Sequence, residues 1–125
     1  MPFETSFDPR RRLMITRASG GITLADLRAY QQELGQRPEF DATWAHIFDA
    51  RDAARFDISS ADIRALSETS VLATSARRAM VATNPAIFGE FCMYATSRQL
   101  RAGGSEIGVF KTLEEAIEWV TSLAP

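Results

Sequence analysis

The chain lacks most of the sequence features that identify a catalytic or metal-binding protein. It has one histidine and one cysteine among 125 residues, which excludes an internal disulfide and a zinc site built from several Cys and His ligands. It also has no GxGxxG, GxxxxGK[ST], GxSxG or HExxH motif. We therefore predict no enzymatic activity, no catalytic residue, no metal site and no cofactor. His46 is interpreted as structural and Cys92 as a small buried residue of a helix core.

Basic clusters and long apolar runs are equally scarce. The net charge is -2, and the basic cluster Arg10–Arg12 has no aromatic residues interleaved with it, so we predict no nucleic-acid binding. No window approaches the roughly 20 apolar residues of a membrane span, and the first residues do not resemble a signal peptide. A lone cysteine fits a reducing compartment. These absences predict a cytoplasmic protein without stable membrane insertion.

What the sequence does contain is a regular alternation of short strands and capped helices. Its length and its composition, 46% hydrophobic and 24% charged, predict a single domain over residues 1–125 with a real core. The element order is β-β-α-β-α-β-α-β-α. This order predicts an α/β fold with a four- to five-stranded, mostly parallel sheet, an N-terminal antiparallel hairpin and about four packed helices.

The strands of the first half are delimited by turn residues and by apolar patterning. Pro2–Asp8 and Leu13–Ile15 are predicted to form the hairpin, with Ser19–Gly21 ending its second strand. Trp44–Ala50 has apolar residues on both faces, which predicts a central strand covered on both sides. Residues 51–57 are charged and are predicted to form a loop.

The helix starts carry capping signatures, in which a Ser, Thr or Asn side chain accepts a hydrogen bond from the first turn. The predicted N-caps are Thr23, Ser59, Asn84 and Thr112. Except after Asn84, a carboxylate three residues later completes the signature. Gly35 is predicted to end the first helix. Ser70 and Ala73 continue one face of the second helix, and Gly103–Gly104 breaks the chain before the last strand.

The third helix, Pro85–Leu100, is unusually apolar. Its predicted core face is Phe88, Phe91, Cys92 and Ala95, which leaves other apolar side chains pointing elsewhere. Such a helix is either buried on several sides or part of an interface. We therefore predict a homodimer interface or the border of a pocket, formed by Ile87, Phe88, Phe91, Met93 and Tyr94.

Polar residues follow the predicted strands at their carboxyl ends, where ligands bind in open α/β sheets. These residues are Asp49, Arg51, Asn84 and Lys111. The amino ends of the following helices add unpaired N–H groups to the same region. The sequence leaves two interpretations open: a surface that holds a small anion, or residues that only cap helices and pair with each other.

Two serines stand at the start of the second helix. Ser59 is explained by capping, whereas Ser60 is not needed for it. A phosphate on Ser60 would lie at the positive end of the helix and add up to about two negative charges to the surface. Ser60 is therefore a candidate phospho-acceptor, and Asp57, Ser59 and Asp62 form the turn around it.

The chain resembles STAS domains, the fold of anti-sigma-factor antagonists, in its element order, its FDAR strand end and the segment Asp57–Ala61. Its C-terminal half is similar to the bacterial SpoIIAA-like proteins, which are STAS/SEC14-like. The residues that carry this similarity are Phe88-Gly89, Met93-Tyr94, Val109–Ala116 and Trp119. The resemblance covers Leu13 to Val120.

The resemblance implies a regulatory module without enzymatic activity that contacts a protein partner, not identified by the sequence. In the antagonist branch, the second serine of an Asp-Ser-Ser-Gly motif is phosphorylated and a kinase docks around it; by position this is Ser60. Here Ile58 separates Asp57 from the serines, and Ala61 replaces the glycine. The SEC14-type relatives imply an alternative, a small apolar or lipid-like ligand bound beneath the third helix.

Overall fold

Five strands form one sheet with sequential order in the computed structural model, which describes residues 2–66, 77–99 and 106–122. The first two strands pair antiparallel and the others parallel. The strands are β1 Phe3–Asp8, β2 Leu13–Thr23, β3 Ala45–Asp57, β4 Arg78–Val81 and β5 Ile107–Phe110, and the helices are α1 Leu24–Gln36, α2 Ser60–Leu66, α3 Pro85–Gln99 and α4 Leu113–Thr121. The predicted α/β fold with an N-terminal antiparallel hairpin is confirmed.

The helices cover the two faces of the sheet unequally. On one face, Phe48 of β3 packs in a cluster with residues of α1, α2 and α3, including Ile63 and Phe91. On the other face, Ile47 packs with Ala116 and Val120 of α4, the one helix of the described ranges in that cluster. Because neighbouring strand residues point to opposite faces, β3 is buried on both sides over residues 46–50, as its composition predicts.

The two long central strands extend further than predicted. Ser19–Gly21 does not end β2, and residues 51–57 are strand instead of a charged loop, since the pairing continues from Ser19 with Asp52 to Thr23 with Asp57. Two register shifts and the positive φ of Gly20, 73°, accommodate this glycine segment within the strand. Charged side chains are tolerated because this part of β3 is largely exposed.

The four predicted N-cap side chains accept hydrogen bonds from the first turn of their helices, but at Thr112 the Glu115 carboxylate accepts from the Thr112 hydroxyl and not from its amide. Thr23 Oγ1 accepts a hydrogen bond from the Asp26 amide at 3.1 Å, and the Asp26 carboxylate accepts one from the Thr23 amide at 3.0 Å. Ser59 and Asp62 form the same pair of bonds. Gly35 does not end α1, which continues for one further residue.

None of the helices in the described ranges combines the length and the apolar character that a bilayer span requires. Several predicted features, namely Ser70, Ala73, Leu100, Gly103 and Gly104, lie outside the residues that the structure describes.

Candidate functional site

A cavity of about 80 Å³ lies between the sheet and helices α1, α2 and α3. Its walls are mainly apolar and include Leu27, Leu34, Phe48, Ile63, Met80 and Phe91. A single water molecule needs about 10–15 Å³ of such space, so the cavity has room for about six. Protein interiors are normally close-packed, so a void of this size on the more heavily covered face is the first candidate for a binding site.

A hydrogen-bonded group of three side chains borders this cavity. His46 Nε2 lies 3.0 Å from Thr16 Oγ1 and 3.0 Å from the Tyr30 hydroxyl oxygen, and the two oxygens lie 2.6 Å apart. Burial, with the nearby charge of Arg78, lowers the pKa of His46 to about 3. Burial also raises the pKa of Tyr30 to about 12. Both side chains are therefore neutral near pH 7 and act there as hydrogen-bonding groups.

Arg78, the first residue of β4, is the one cationic side chain among the described residues that line the cavity. It is only 8% exposed. Its Nη1 atom donates to the Tyr94 hydroxyl at 2.9 Å, and its guanidinium carbon lies 5.4 Å from the centre of the Tyr94 ring. Its buried Nε atom has no hydrogen-bond partner, and none of the ion pairs within the described ranges includes it.

This arrangement is energetically unusual. An arginine side chain stays charged in proteins, and an unpaired buried charge costs several kcal/mol. The Tyr94 hydroxyl and ring offset part of this cost through one hydrogen bond and a cation–π contact. The guanidinium of this cavity-lining residue therefore retains unused donor capacity at its Nε atom, which itself exposes less than 1 Å² of surface.

Glu90 of α3 is an acidic residue that lines the same cavity. One of its carboxylate oxygens, Oε2, is buried and has no hydrogen-bond partner within the described part of the chain. Burial raises the pKa of Glu90, and the negative charge of Asp57 raises it further. Both effects favour the neutral acid over the carboxylate.

The predicted core face of α3 is wrong at Cys92, which is exposed. The buried residues are Ile87, Phe91, Tyr94, Ala95 and Arg98, so the buried face is rotated from the predicted one. Of the residues predicted to form an interface or pocket, Phe91 and Tyr94 line the cavity. Ile87 is buried in the core, Phe88 is half-buried, and Met93 is 43% exposed.

The predicted strand-end residues each have a local partner. Arg51 donates two side-chain hydrogen bonds of 2.9 Å to Asp49. Burial alone would raise the pKa of Asp49, but these bonds and the Arg51 charge lower it below its ordinary value. Asn84 caps α3 through the Ala86 amide at 2.9 Å. The Lys111 ammonium lies 5.5 Å from the centre of the Phe88 ring.

Both Asp49 and Arg51 lie within β3 and not at its carboxyl end, because β3 continues to Asp57. Asp49 pairs with Val81, the last residue of β4. The prediction that Asp49 and Arg51 lie at the carboxyl end of their own strand is therefore wrong. It is the neighbouring strand, β4, that ends beside Asp49.

The serine turn has the geometry that its sequence predicts. Ser59 makes both capping hydrogen bonds with Asp62, and Asp57 accepts a hydrogen bond from Arg55 at 3.0 Å. Ser60 is the first residue of α2 and is exposed. Phosphorylation of Ser60 remains a prediction.

The polar residues of the cavity are those that sequence reasoning misses. Tyr30 and Arg78 line the cavity from two different elements, and nothing local in the sequence joins them. The one available signal is the position of Arg78 at the start of the apolar segment Ala79–Val81, where a charge is unexpected in a buried strand.

No protein-family model matches the chain, and no curated protein matches it either. Among solved structures, its fold is similar to the crystal structure of an uncharacterized protein of the DUF3478 family from Shewanella loihica, described as having a SpoIIAA-like fold. The TM-score is 0.59, over 94% of this chain and 91% of that one, and the sequence identity is 11%. At that identity the similarity concerns the fold alone. The chain has a SpoIIAA-like α/β fold, in agreement with the resemblance of its sequence motifs.

Proposed function

We propose that the chain is a non-enzymatic binding module that holds a small, mainly apolar molecule in the cavity between the sheet and helices α1, α2 and α3. The observation that carries this proposal is the combination of apolar walls with a few polar side chains, the usual make-up of a small-molecule site. It corresponds to the apolar-ligand alternative of the sequence analysis, with the cavity lying partly beneath α3.

The volume of the cavity limits the occupant. At about 80 Å³ it lies below the range of about 300–1,000 Å³ that drug-sized ligands occupy. An engineered cavity of about 150 Å³ binds benzene, so a ring of that size enters this cavity only with some movement of its walls.

A larger occupant requires the wall to move. A surface pocket of about 250 Å³ lies between β1 and α1. Tyr30 and Leu34 line both this pocket and the cavity beneath α3, so they form the wall between them. Displacement of these two side chains would join the two volumes.

The chemistry of the cavity favours binding over catalysis. A general base is efficient when its pKa lies near the working pH. With a pKa of about 3, His46 is a weak proton acceptor at neutral pH. Tyr30, with a pKa of about 12, is a correspondingly weak acid. These values support a role for both residues in orienting a bound molecule.

Small neutral molecules test the proposal. We expect indole and toluene, added to isotope-labelled protein, to shift amide NMR signals of residues around the cavity in a saturable manner. A cavity-filling variant, Leu66→Phe, should abolish the effect, because Leu66 lines the cavity. The control is Ile117→Phe, which adds a ring against the other face of the sheet. Saturable shifts that survive Leu66→Phe and disappear with Ile117→Phe would contradict the proposal.

A regulatory role through a protein partner is the second candidate function. It is supported by Ser60, which is exposed. Ser59 makes both capping hydrogen bonds, so the Ser60 side chain is not needed for capping. α2 also contributes Ile63 and Leu66 to the cavity wall, so a phosphate on Ser60 would act beside the bound molecule. Incubation with a cognate kinase followed by mass spectrometry tests this candidate; modification that excludes Ser60 would refute it.

A homodimer that forms through α3 is compatible with either function, since Met93 is exposed on that helix. Sedimentation of the wild-type chain and of Met93→Glu tests it. A dimer should dissociate on introduction of the charge, and a chain that sediments as a monomer at all concentrations would refute this arrangement.

A further inference from the structure

We propose that the molecule held in the cavity is a small monocarboxylic acid whose carboxylate pairs with Arg78. This inference rests on the proposed binding function and specifies the chemical class of the ligand. The apolar part of such a molecule would occupy the space between Phe48, Phe91 and Met80, and its charged group would lie against β4.

The first argument is the unused hydrogen-bonding capacity of Arg78. A guanidinium has five N–H donors in a rigid fork, and one nitrogen, Nη1, is bonded to Tyr94. The Nε atom is unbonded and exposes less than 1 Å² of surface, so a ligand in the cavity reaches it after the side chain turns toward the cavity. A carboxylate can accept two parallel hydrogen bonds from such a fork, a geometry that favours arginine wherever carboxylates are recognised.

The second argument is charge balance. No carboxylate in the described ranges forms an ion pair with Arg78, although only 8% of this residue is exposed. A bound monoanion would supply the missing counter-charge inside a low-dielectric cavity, where such an interaction is far stronger than in water. An uncharged ligand would not offset the desolvation free energy of the buried guanidinium.

The third argument distinguishes a carboxylate from a phosphate. A phosphate monoester carries between about −1.5 and −2 charges at pH 7, and Arg78 is the one cationic side chain among the described residues of the cavity wall. Glu90, on the same wall, would add repulsion to a dianion. The mainly apolar walls and the volume of about 80 Å³ also suit a compact monoanion.

The neighbouring polar groups are compatible with a carboxylate. Tyr30, Tyr94 and His46 have side chains that can donate or accept a hydrogen bond at the cavity wall. Glu90 opposes an anion when it is ionised, so Glu90→Gln should strengthen carboxylate binding, whereas Arg78→Met should weaken it. The opposite effects of these two substitutions are specific to an anionic ligand.

The experiment compares acids with their isosteric amides. Benzoate and hexanoate are titrated against benzamide and hexanamide, with the Arg78 Nε–H resonance followed by NMR. We expect each acid to bind about tenfold more tightly than its amide, in line with the greater strength of charge-assisted hydrogen bonds. The acid should also shift the Arg78 resonance, and Arg78→Met should remove the preference.

A matched control is the adjacent arginine. Arg77 carries the same charge, but its Nη1 atom donates to the Trp119 carbonyl oxygen of α4, on the opposite face of the sheet. Arg77→Met should therefore leave the preference for acids unchanged. If Arg78→Met does not fold, the comparison of acid with amide on the wild-type chain still decides the question.

The outcomes separate the two proposals. Amides that bind as tightly as their acids would overturn the carboxylate assignment and leave the binding function intact. Acids that bind without moving the Arg78 resonance would overturn the assignment as well. If neither acids, amides nor neutral aromatics bind, the binding function itself is refuted, and the assignment with it.

Discussion

The Nε2 atom of His46 lies 3.0 Å from the hydroxyl oxygen of Tyr30, which joins the central strand β3 to helix α1 inside the protein. Thr16 of β2 lies 3.0 Å from the same nitrogen, and its hydroxyl oxygen lies 2.9 Å from that of Thr5 in β1. A neutral imidazole has one donor and one acceptor nitrogen. The Thr16 and Tyr30 hydroxyls can each donate or accept, so the group forms with either tautomer. It is sensitive to acid because burial and the charge of Arg78 disfavour the imidazolium.

The stability of the protein should depend on the titration of His46. Its pKa is about 3 in the folded chain against an ordinary value of 6.5. Between these values the unfolded chain binds more protons, so the free energy of unfolding rises with pH. The contribution is fully present above the ordinary value and is lost as the pH falls toward 3. We expect a loss of a few kcal/mol, on the order of one per unit of pH, measured by urea denaturation across this range.

The control for this prediction is His46→Gln, which keeps a hydrogen-bonding side chain and removes the titration. Carboxylates with lowered pKa values, including Asp41 and Asp49, also lose stabilising interactions in acid. The difference in pH dependence between wild type and variant isolates the histidine. Parallel stability curves for the two proteins would show that His46 is not desolvated.

Removal of the Tyr30 hydroxyl should destabilise the fold. Tyr30→Phe leaves the buried Thr16 and His46 without one of their partners, a loss of about 1–3 kcal/mol. Tyr94→Phe removes the hydrogen bond to the charged Arg78 and should cost at least as much, since bonds to charged groups contribute about 1.5–3 kcal/mol. Chemical denaturation measures both. Wild-type stability in both variants would indicate that water replaces the hydroxyl groups.

The local parts of the fold could be predicted because their causes are local. Thr23 and Asp26 are three residues apart, and the hydrogen bonds between them are the ones that capping requires. The extension of β3 over residues 51–57 is different, because it depends on pairing with residues 19–23 of β2. Strand pairing of this kind is a contact between distant segments, and the charged composition of the segment gives no local sign of it.

The candidate site illustrates the same limit. The apolar character of α3 indicates burial on several sides or an interface, but the residues that it buries recur at helical spacing on one face, which packs against α2, β3 and β5. The prediction placed Cys92 inside, whereas Tyr94 is buried. Tyr94 is accommodated there because Arg78, sixteen positions earlier in the chain, supplies a hydrogen-bond donor for its hydroxyl. Polar pairs formed across elements cannot be inferred from either segment alone.

The two serines at the start of α2 should differ in their effects on stability. Ser59→Ala removes the side chain that accepts a hydrogen bond from the Asp62 amide at 3.1 Å, a loss of about 1 kcal/mol. Ser60→Ala changes an exposed side chain outside the capping bonds and should stay within about 0.5 kcal/mol of wild type. Urea denaturation of both variants measures the difference. A larger loss for Ser60→Ala would assign a structural role to that residue and remove the reason for considering it a phospho-acceptor.

Two glycines provide a final, paired prediction. A Cβ atom at Gly108 of β5 would lie 2.7 Å from Cε2 of Phe110 and 3.3 Å from Cζ3 of Trp119. The Phe110 ring would have to leave its place against Trp119, where the ring centres are 5.6 Å apart. We expect Gly108→Ala to destabilise the chain by about 1–3 kcal/mol.

Gly89 is the counterpart within α3, where a Cβ atom would meet nothing within 4 Å. Alanine is favoured over glycine inside a helix by about 0.8–1.0 kcal/mol, so Gly89→Ala should raise the melting temperature while Gly108→Ala lowers it. Calorimetry on the two variants compares the same chemical change in opposite surroundings. A stabilising Gly108→Ala would mean that the Phe110 ring relocates freely, and that the packing of α4 against β5 does not depend on its position.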